Sequence, residues 1–208
     1  MSRDNILHRI RTGVGRSAGQ PPAAPPPVRL LIPEVGLAAR IASVIARVEA
    51  LAGKAAVTSD PRAFVAEAIA GKTAVASNAP FLAECGIVGL PQVRSGITDP
   101  EELREVCASA DVGITSADYV LADTGTLVML ASPREARLVS LLPPAHIAVV
   151  PRERILTGLD ELLTLLPKPA EQTSSMVLIT GPSRTADIEQ ILVRGVHGPG
   201  QITVVIAG

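Results

Sequence analysis

From Glu34 onward the chain alternates between two hydrophobic periods. Leu37, Ile41, Val44, Ile45, Val48 and Leu51 recur at helical spacing, with Arg40, Arg47 and Glu49 on the opposite face and Gly53 closing the helix. A short strand over 55–58, a helix over 61–70 and a strand over 73–77 follow. The segment 100–108 reads as a helix whose first turn is acidic (Glu101, Glu102), as the positive end of a helix dipole favours. Residues 112–115, 126–130, 147–150, 176–180 and 202–206 are near-continuous apolar, β-branched runs, with a helix predicted over 158–166. Apolar strands alternating with helices predict an α/β fold: a mostly parallel sheet with helices on both faces.

The first thirty residues read differently. Residues 1–16 form an amphipathic arm, with Ile6, Leu7, Ile10 and Val14 on one face and arginines elsewhere. Residues 17–29 are rich in Pro and Ala, a semi-rigid spacer without packing of its own. The predicted organisation is therefore arm, linker, and a single α/β domain over 30–208. The arm either folds back on its domain or docks a partner.

Composition narrows the function. Hydrophobic residues are 47% of the 208, yet aromatics only 1%, so the core is built from Ala, Val, Ile and Leu. Base-stacking nucleic-acid modules need aromatic platforms that this chain lacks. A formal net charge of −1 gives no field toward nucleic acid or membrane. No apolar run approaches the ~20 residues of a membrane span, and the N-terminus has no signal-like core, so a soluble cytoplasmic protein is expected. Two cysteines, Cys85 and Cys107, suit a reducing compartment and are too few for an iron–sulfur cluster. His8, His146 and His197 lack partners at ligand spacing, so no metal is expected in this chain.

Familiar motifs fail on context. Gly71-Lys72-Thr73 imitates the end of a phosphate loop, but Ala66 stands where the first glycine belongs. Gly13-Val14-Gly15 follows no strand, and no Gly-x-Ser-x-Gly elbow occurs.

Three stretches carry candidate chemistry. Gly181-Pro182-Ser183-Arg184-Thr185 lies between the apolar run 176–179 and an amphipathic run at 188–193, which reads as strand, turn, helix. A helix start offers unpaired N–H groups to a carboxylate or phosphate, with Ser183 or Thr185 as cap and Arg184 as a fork. Asp187 competes for the same dipole, so either Arg184 offsets it or the motif orders the fold. Gly195 is placed to stop that helix, and the loop after it presents His197 and Gly198 as ligand contacts. Asp123-Thr124-Gly125-Thr126 precedes an apolar strand. It is either a solvated turn or a site edge, with Asp123 as acid, base or nucleophile and the next three residues as ligand contacts. The two regions meet only if the strand after Gly125 runs antiparallel or its loop folds over the sheet edge. His146 reads as a buried structural residue, and Arg134 and Arg137 as surface charges or the rim of an anionic pocket.

These motifs, with Gly113-Ile114-Thr115-Ser116-Ala117-Asp118-Tyr119 and Leu141-Leu142-Pro143-Pro144-Ala145-His146-Ile147, resemble the LUD domain of the lactate utilization protein C family. The resemblance is strong over residues 100–208. It implies the fold grouped with ribose-5-phosphate isomerase, glucosamine-phosphate deaminase and coenzyme A transferases. It also implies a role in oxidising L-lactate to pyruvate beside two iron–sulfur subunits. Members of the family often carry Glu where this chain has Asp123, a shorter side chain. With neither cluster cysteines nor a nucleotide fingerprint, the expected role is an accessory, non-redox subunit binding a small carboxylate or phosphate, the clusters residing in partner subunits. Two alternatives stay open: a free-standing enzyme of acyl or coenzyme A transfer type, and a non-catalytic ligand sensor.

Overall fold

The computed structural model describes residues 2–15, 17, 19, 32–186 and 192–208. It divides into two units, residues 1–30 and 31–208. In the first unit α1 (Arg3–Gly13) is capped by Ser2, whose Oγ accepts the Asn5 N–H at 3.3 Å, and buries none of its residues.

The second unit begins with α2 (Leu37–Ala50), β1 (Lys54–Thr58), α3 (Pro61–Ala68), β2 (Ala74–Ala76), α4 (Pro80–Glu84), β3 (Val93–Arg94), α5 (Pro100–Ser109) and β4 (Val112–Ser116). It continues through β5 (Tyr119–Leu121), β6 (Thr126–Leu130), α6 (Arg137–Leu141), β7 (Ala145–Pro151), β8 (Ile155–Leu156), α7 (Leu159–Leu165), β9 (Met176–Ile179), β10 (Arg184–Ala186), β11 (Leu192–Arg194) and β12 (Gln201–Ala207). Among the described residues, six strands form one parallel sheet in the order β1-β12-β7-β4-β2-β3. Four others form a second sheet, β8-β5-β6-β9, in which β6 runs antiparallel to both β5 and β9. The runs at 126–130 and 176–180 are therefore strands as expected, but they stand outside the parallel sheet.

Alternation along the strands sorts the side chains into layers. α3 and α4 cover one face of the parallel sheet through Val65, Ile69 and Leu82 against Ile114, Val149 and Val205. On the other face, α2 and the second sheet share a cluster in which Val44, Val48, Leu127 and Met129 meet Val150, Val204 and Ile206. α5 and α6 close the rest of that face with Val106 and Val139 over Val75. The outer face of the second sheet, Leu121 and Val128, is covered by Leu162 of α7. Helices thus lie on both faces of the parallel sheet.

Helix ends follow their local chemistry. Asp60 and Asp99 cap α3 and α5, each followed by a proline whose missing N–H needs no partner there. Asp99 Oδ1 accepts the Glu102 N–H at 2.8 Å. An Asp99→Ala variant is expected to lose about 1 kcal/mol, read as a lower denaturant midpoint with unchanged slope. At the end of α2, the left-handed position falls to Ala52 (φ 62°), one residue before the expected Gly53. Gly53 instead lets the chain pass Val48, whose Cγ1 would lie 2.8 Å from an added Cβ.

Candidate functional site

The antiparallel course of β6 settles whether the two sequence motifs meet. Leu127 lies opposite Ile179, so the start of β6 adjoins the end of β9. There the Thr126 hydroxyl contacts those of Thr124 (2.7 Å) and Thr180 (2.9 Å), beside Gly181. Gly125 adopts φ 70° and packs against α2, where an added Cβ would meet Arg47 Cβ at 2.8 Å. Asp123 is exposed, held by its N–H to the Thr157 carbonyl (3.1 Å) and next to Gly158. The exposed Arg184 guanidinium donates to the carbonyl of Leu51, at the negative end of α2. Leu51, Thr180, Gly181, Pro182 and Arg184 line an open recess of ≈ 410 Å³.

Two expectations change here. Arg184, Thr185 and Ala186 form β10, paired antiparallel with β11, where a helix was expected to begin. The predicted helix-start anion site therefore does not form at Ser183–Thr185; residues 187–191, including Asp187, lie outside the described ones. Gly195 (φ 77°) ends a strand, and its N–H bonds the Ser183 carbonyl at 3.0 Å. The Ser183 N–H reaches the Pro199 carbonyl (2.9 Å), and the exposed His197 donates its backbone N–H to Ser183 Oγ (3.4 Å). Gly198 lies beside Ser183 and Leu141, near the amino end of β7.

A different cavity occupies the carboxyl ends of the parallel strands, where open sheets of this kind hold ligands. It measures ≈ 270 Å³ and is lined by Phe81 and Glu84 of α4, Ser116 and Asp118 at the end of β4, Arg134 and Glu135 after β6, and Arg154 after β7. The Asn78 N–H bonds the Arg134 carbonyl at 2.8 Å, which ties the loop after β6 across the end of β2. Glu135 is only 7% exposed. Its Oε2 accepts the Ser77 hydroxyl at 2.8 Å, while among the described residues Oε1 has no hydrogen-bond partner. Burial outweighs that hydrogen bond and the influence of the Ser116 backbone N–H, and with the nearby Asp118 charge it pushes the Glu135 carboxyl up to about 8. Burial also raises Asp118, although its Oδ2 accepts the Leu130 N–H at 2.7 Å and Arg154 lies near. Arg134 and Arg154 are exposed at the rim, and among the described residues no ion pair engages either guanidinium. Sequence reasoning left Arg134 as either a surface charge or the rim of an anionic pocket, and missed Glu135, Asp118 and Arg154, which come from three separate loops.

The remaining candidate groups are quiet. Burial raises both Cys85 and Cys107, so each stays a thiol near neutral pH. His146 is buried in β7 as expected, its Nε2 2.8 Å from Thr115 Oγ1. Among the described residues no three His, Cys, Asp or Glu side chains group as a metal site, and no helix is long and apolar enough to cross a membrane.

Comparison with known proteins places this geometry in context. The LUD domain family matches residues 37–207. Lactate utilization protein C of an Exiguobacterium species is 39% identical over 113 residues, 52% of this chain and 49% of that protein. Lactate utilization protein C of Halalkalibacterium halodurans is 43% identical over 106 residues, 49% of this chain and 46% of that protein. The chain spans about half the length of these curated relatives. A crystal structure of a DUF162 family protein from Deinococcus radiodurans has the same fold, with a TM-score of 0.65 at 18% identity, over 84% of this chain and 99% of that one.

Proposed function

Because the chain belongs to the LUD domain family, we propose that it serves L-lactate utilization as a non-redox subunit that binds a small carboxylate in the cavity at the strand ends. The observation that carries this reading is the placement of Arg134 and Arg154 around a recess whose wall holds the buried Glu135. Two guanidiniums at one mouth suit an anionic head group, and ≈ 270 Å³ suits a molecule of a few heavy atoms. The names of the relatives support the lactate role. Electrons travel through iron–sulfur clusters of partner subunits, since the two thiols here supply no cluster ligand set.

Calorimetric titration with L-lactate and with pyruvate tests the site. Arg134→Ala and Arg154→Ala are each expected to weaken binding about tenfold, the scale of one lost charge-assisted hydrogen bond, while Arg184→Ala leaves it unchanged. Loss confined to Arg184→Ala would move the site to the recess beside Gly181. A tagged pull-down from cells grown on L-lactate, assayed for iron and sulfide, tests the subunit role. Recovery of the chain alone and metal-free would favour an independent enzyme or a sensor.

A further inference from the structure

We propose that the cavity at the amino ends of the parallel strands is a second binding site, for a free monocarboxylate on an apolar stem, the class of a medium-chain fatty acid. It lies at the opposite end of the strands from the cavity assigned to the small carboxylate, and neither site depends on the other. The cavity measures ≈ 560 Å³, against ≈ 270 Å³ at the carboxyl ends. Strand register makes its floor a trough. Lys54, Thr203 and Ile147 stand side by side across β1, β12 and β7, and Gln201, Ala145 and Val112 form the neighbouring row across β12, β7 and β4. From β1 to β4 is three inter-strand steps, about 14 Å. Thr203, two residues before Val205, shares the face on which Val112, Ile147 and Val205 pack under α3. That helix roofs the trough with Phe64 and Ala68, one turn apart on the same side.

The polar groups give the trough a direction. Lys54, Lys72 and Glu67 line it and are exposed, and among the described residues no ion pair engages any of them. Lys72, beyond α3, lies near Asp111, which offsets its charge while accepting the Thr73 N–H and hydroxyl, each at 2.8 Å. The β1 end holds Lys54 with the Thr203 hydroxyl and the Gln201 amide, so a carboxylate there finds three donors. Its stem then runs over Ile147, Ala145 and Val112, beneath Phe64, and leaves water. Glu67 faces the same space from α3 and disfavours a second negative charge, so a monoanion fits. The volume falls within the range of small-molecule sites and exceeds what a three-carbon acid fills.

Calorimetric titration of the full chain with butanoate, hexanoate and octanoate tests the proposal. Affinity is expected to rise up to about fourfold per added methylene. Equal affinities along the series, or no octanoate binding at millimolar concentration, overturn it. Lys54→Ala is expected to weaken octanoate about tenfold. Lys168→Ala, which removes a surface lysine paired with Glu171, is expected to leave binding unchanged. Equal losses in the two variants would mean diffuse attraction to surface charge and overturn the site. Ala68→Phe fills the trough beneath α3 and is expected to abolish binding; undiminished binding removes octanoate from this cavity. Amide NMR shifts in the parent chain locate the ligand whether or not that variant folds. Octanoate is expected to shift Ala68, Ala145 and Thr203, and shifts confined to Asp118, Arg134 and Glu135 would refute a second site. Octylamine, the same stem with a cationic head, is expected not to displace octanoate. Displacement would make Glu67 the anchor and overturn the choice of an anion.

Discussion

A Gly113→Ala variant is expected to lose about 3 kcal/mol or more of stability, at or beyond the upper end of ordinary overpacking. Gly113 sits within β4, and the carbonyl of Val139 in α6 approaches it directly. An added Cβ would lie 1.9 Å from that oxygen and 3.2 Å from Pro143 Cγ. The obstacle is backbone, so no rotamer change relieves it; α6 must leave the sheet. Val139, 1% exposed, would then lose its packing over Val75. Denaturant unfolding measures the loss. A decrease under about 1 kcal/mol would mean that α6 shifts without unpacking its core.

Opposite pH slopes are expected from two buried groups. Glu135 has a folded pKa of about 8 against an ordinary 4.5, so the native state holds its proton more tightly. Its contribution is fully present below pH 4.5 and is lost as pH rises to 8, about 5 kcal/mol in all and about 3 by neutrality. His146 behaves inversely: burial lowers it from 6.5 to about 4, so the unfolded chain binds the proton more readily. Stability is kept above pH 6.5 and falls as pH drops toward 4, by about 3 kcal/mol. Between 4.5 and 6.5 the two slopes largely cancel in the parent. Glu135→Gln removes one of them, so the variant's advantage should grow steadily with pH and reach about 3 kcal/mol at neutrality. Unfolding curves across this range check it; a constant difference would mean that Glu135 is ionised in the fold.

Much of the fold was legible in the sequence because its signals are local. Apolar β-branched runs gave β4, β6, β7, β9 and β12, and the helical segments expected from 61 and from 100 became α3 and α5. The second sheet was not legible, because a buried strand reads alike whether its neighbour is parallel or antiparallel. The helix start expected at Ser183–Thr185 gave way to β10, which pairs with β11, and most of the amphipathic run at 188–193 lies outside the described residues. The Asp123 turn and the Gly181 motif meet as the antiparallel alternative required, yet hydroxyl contacts and the capping of α2 occupy several of their groups. The cavity stayed hidden for a different reason. Glu135 in Ser132-Pro133-Arg134-Glu135 looks like any loop acid, and only the distant ends of β2 and β4 bury it.

The position of β12 has a consequence in time. It lies between β1 and β7, so the parallel sheet is in two pieces until residues 201–207 have been made. β1 leaves the ribosome roughly 140 residues earlier and, at ~5–20 residues per second, waits on the order of ten seconds for its neighbour. During that interval an apolar strand edge stands open, the kind of surface on which nascent chains pair wrongly. Yield in the cell should therefore follow translation rate and chaperone supply more closely than it follows the stability of the finished domain.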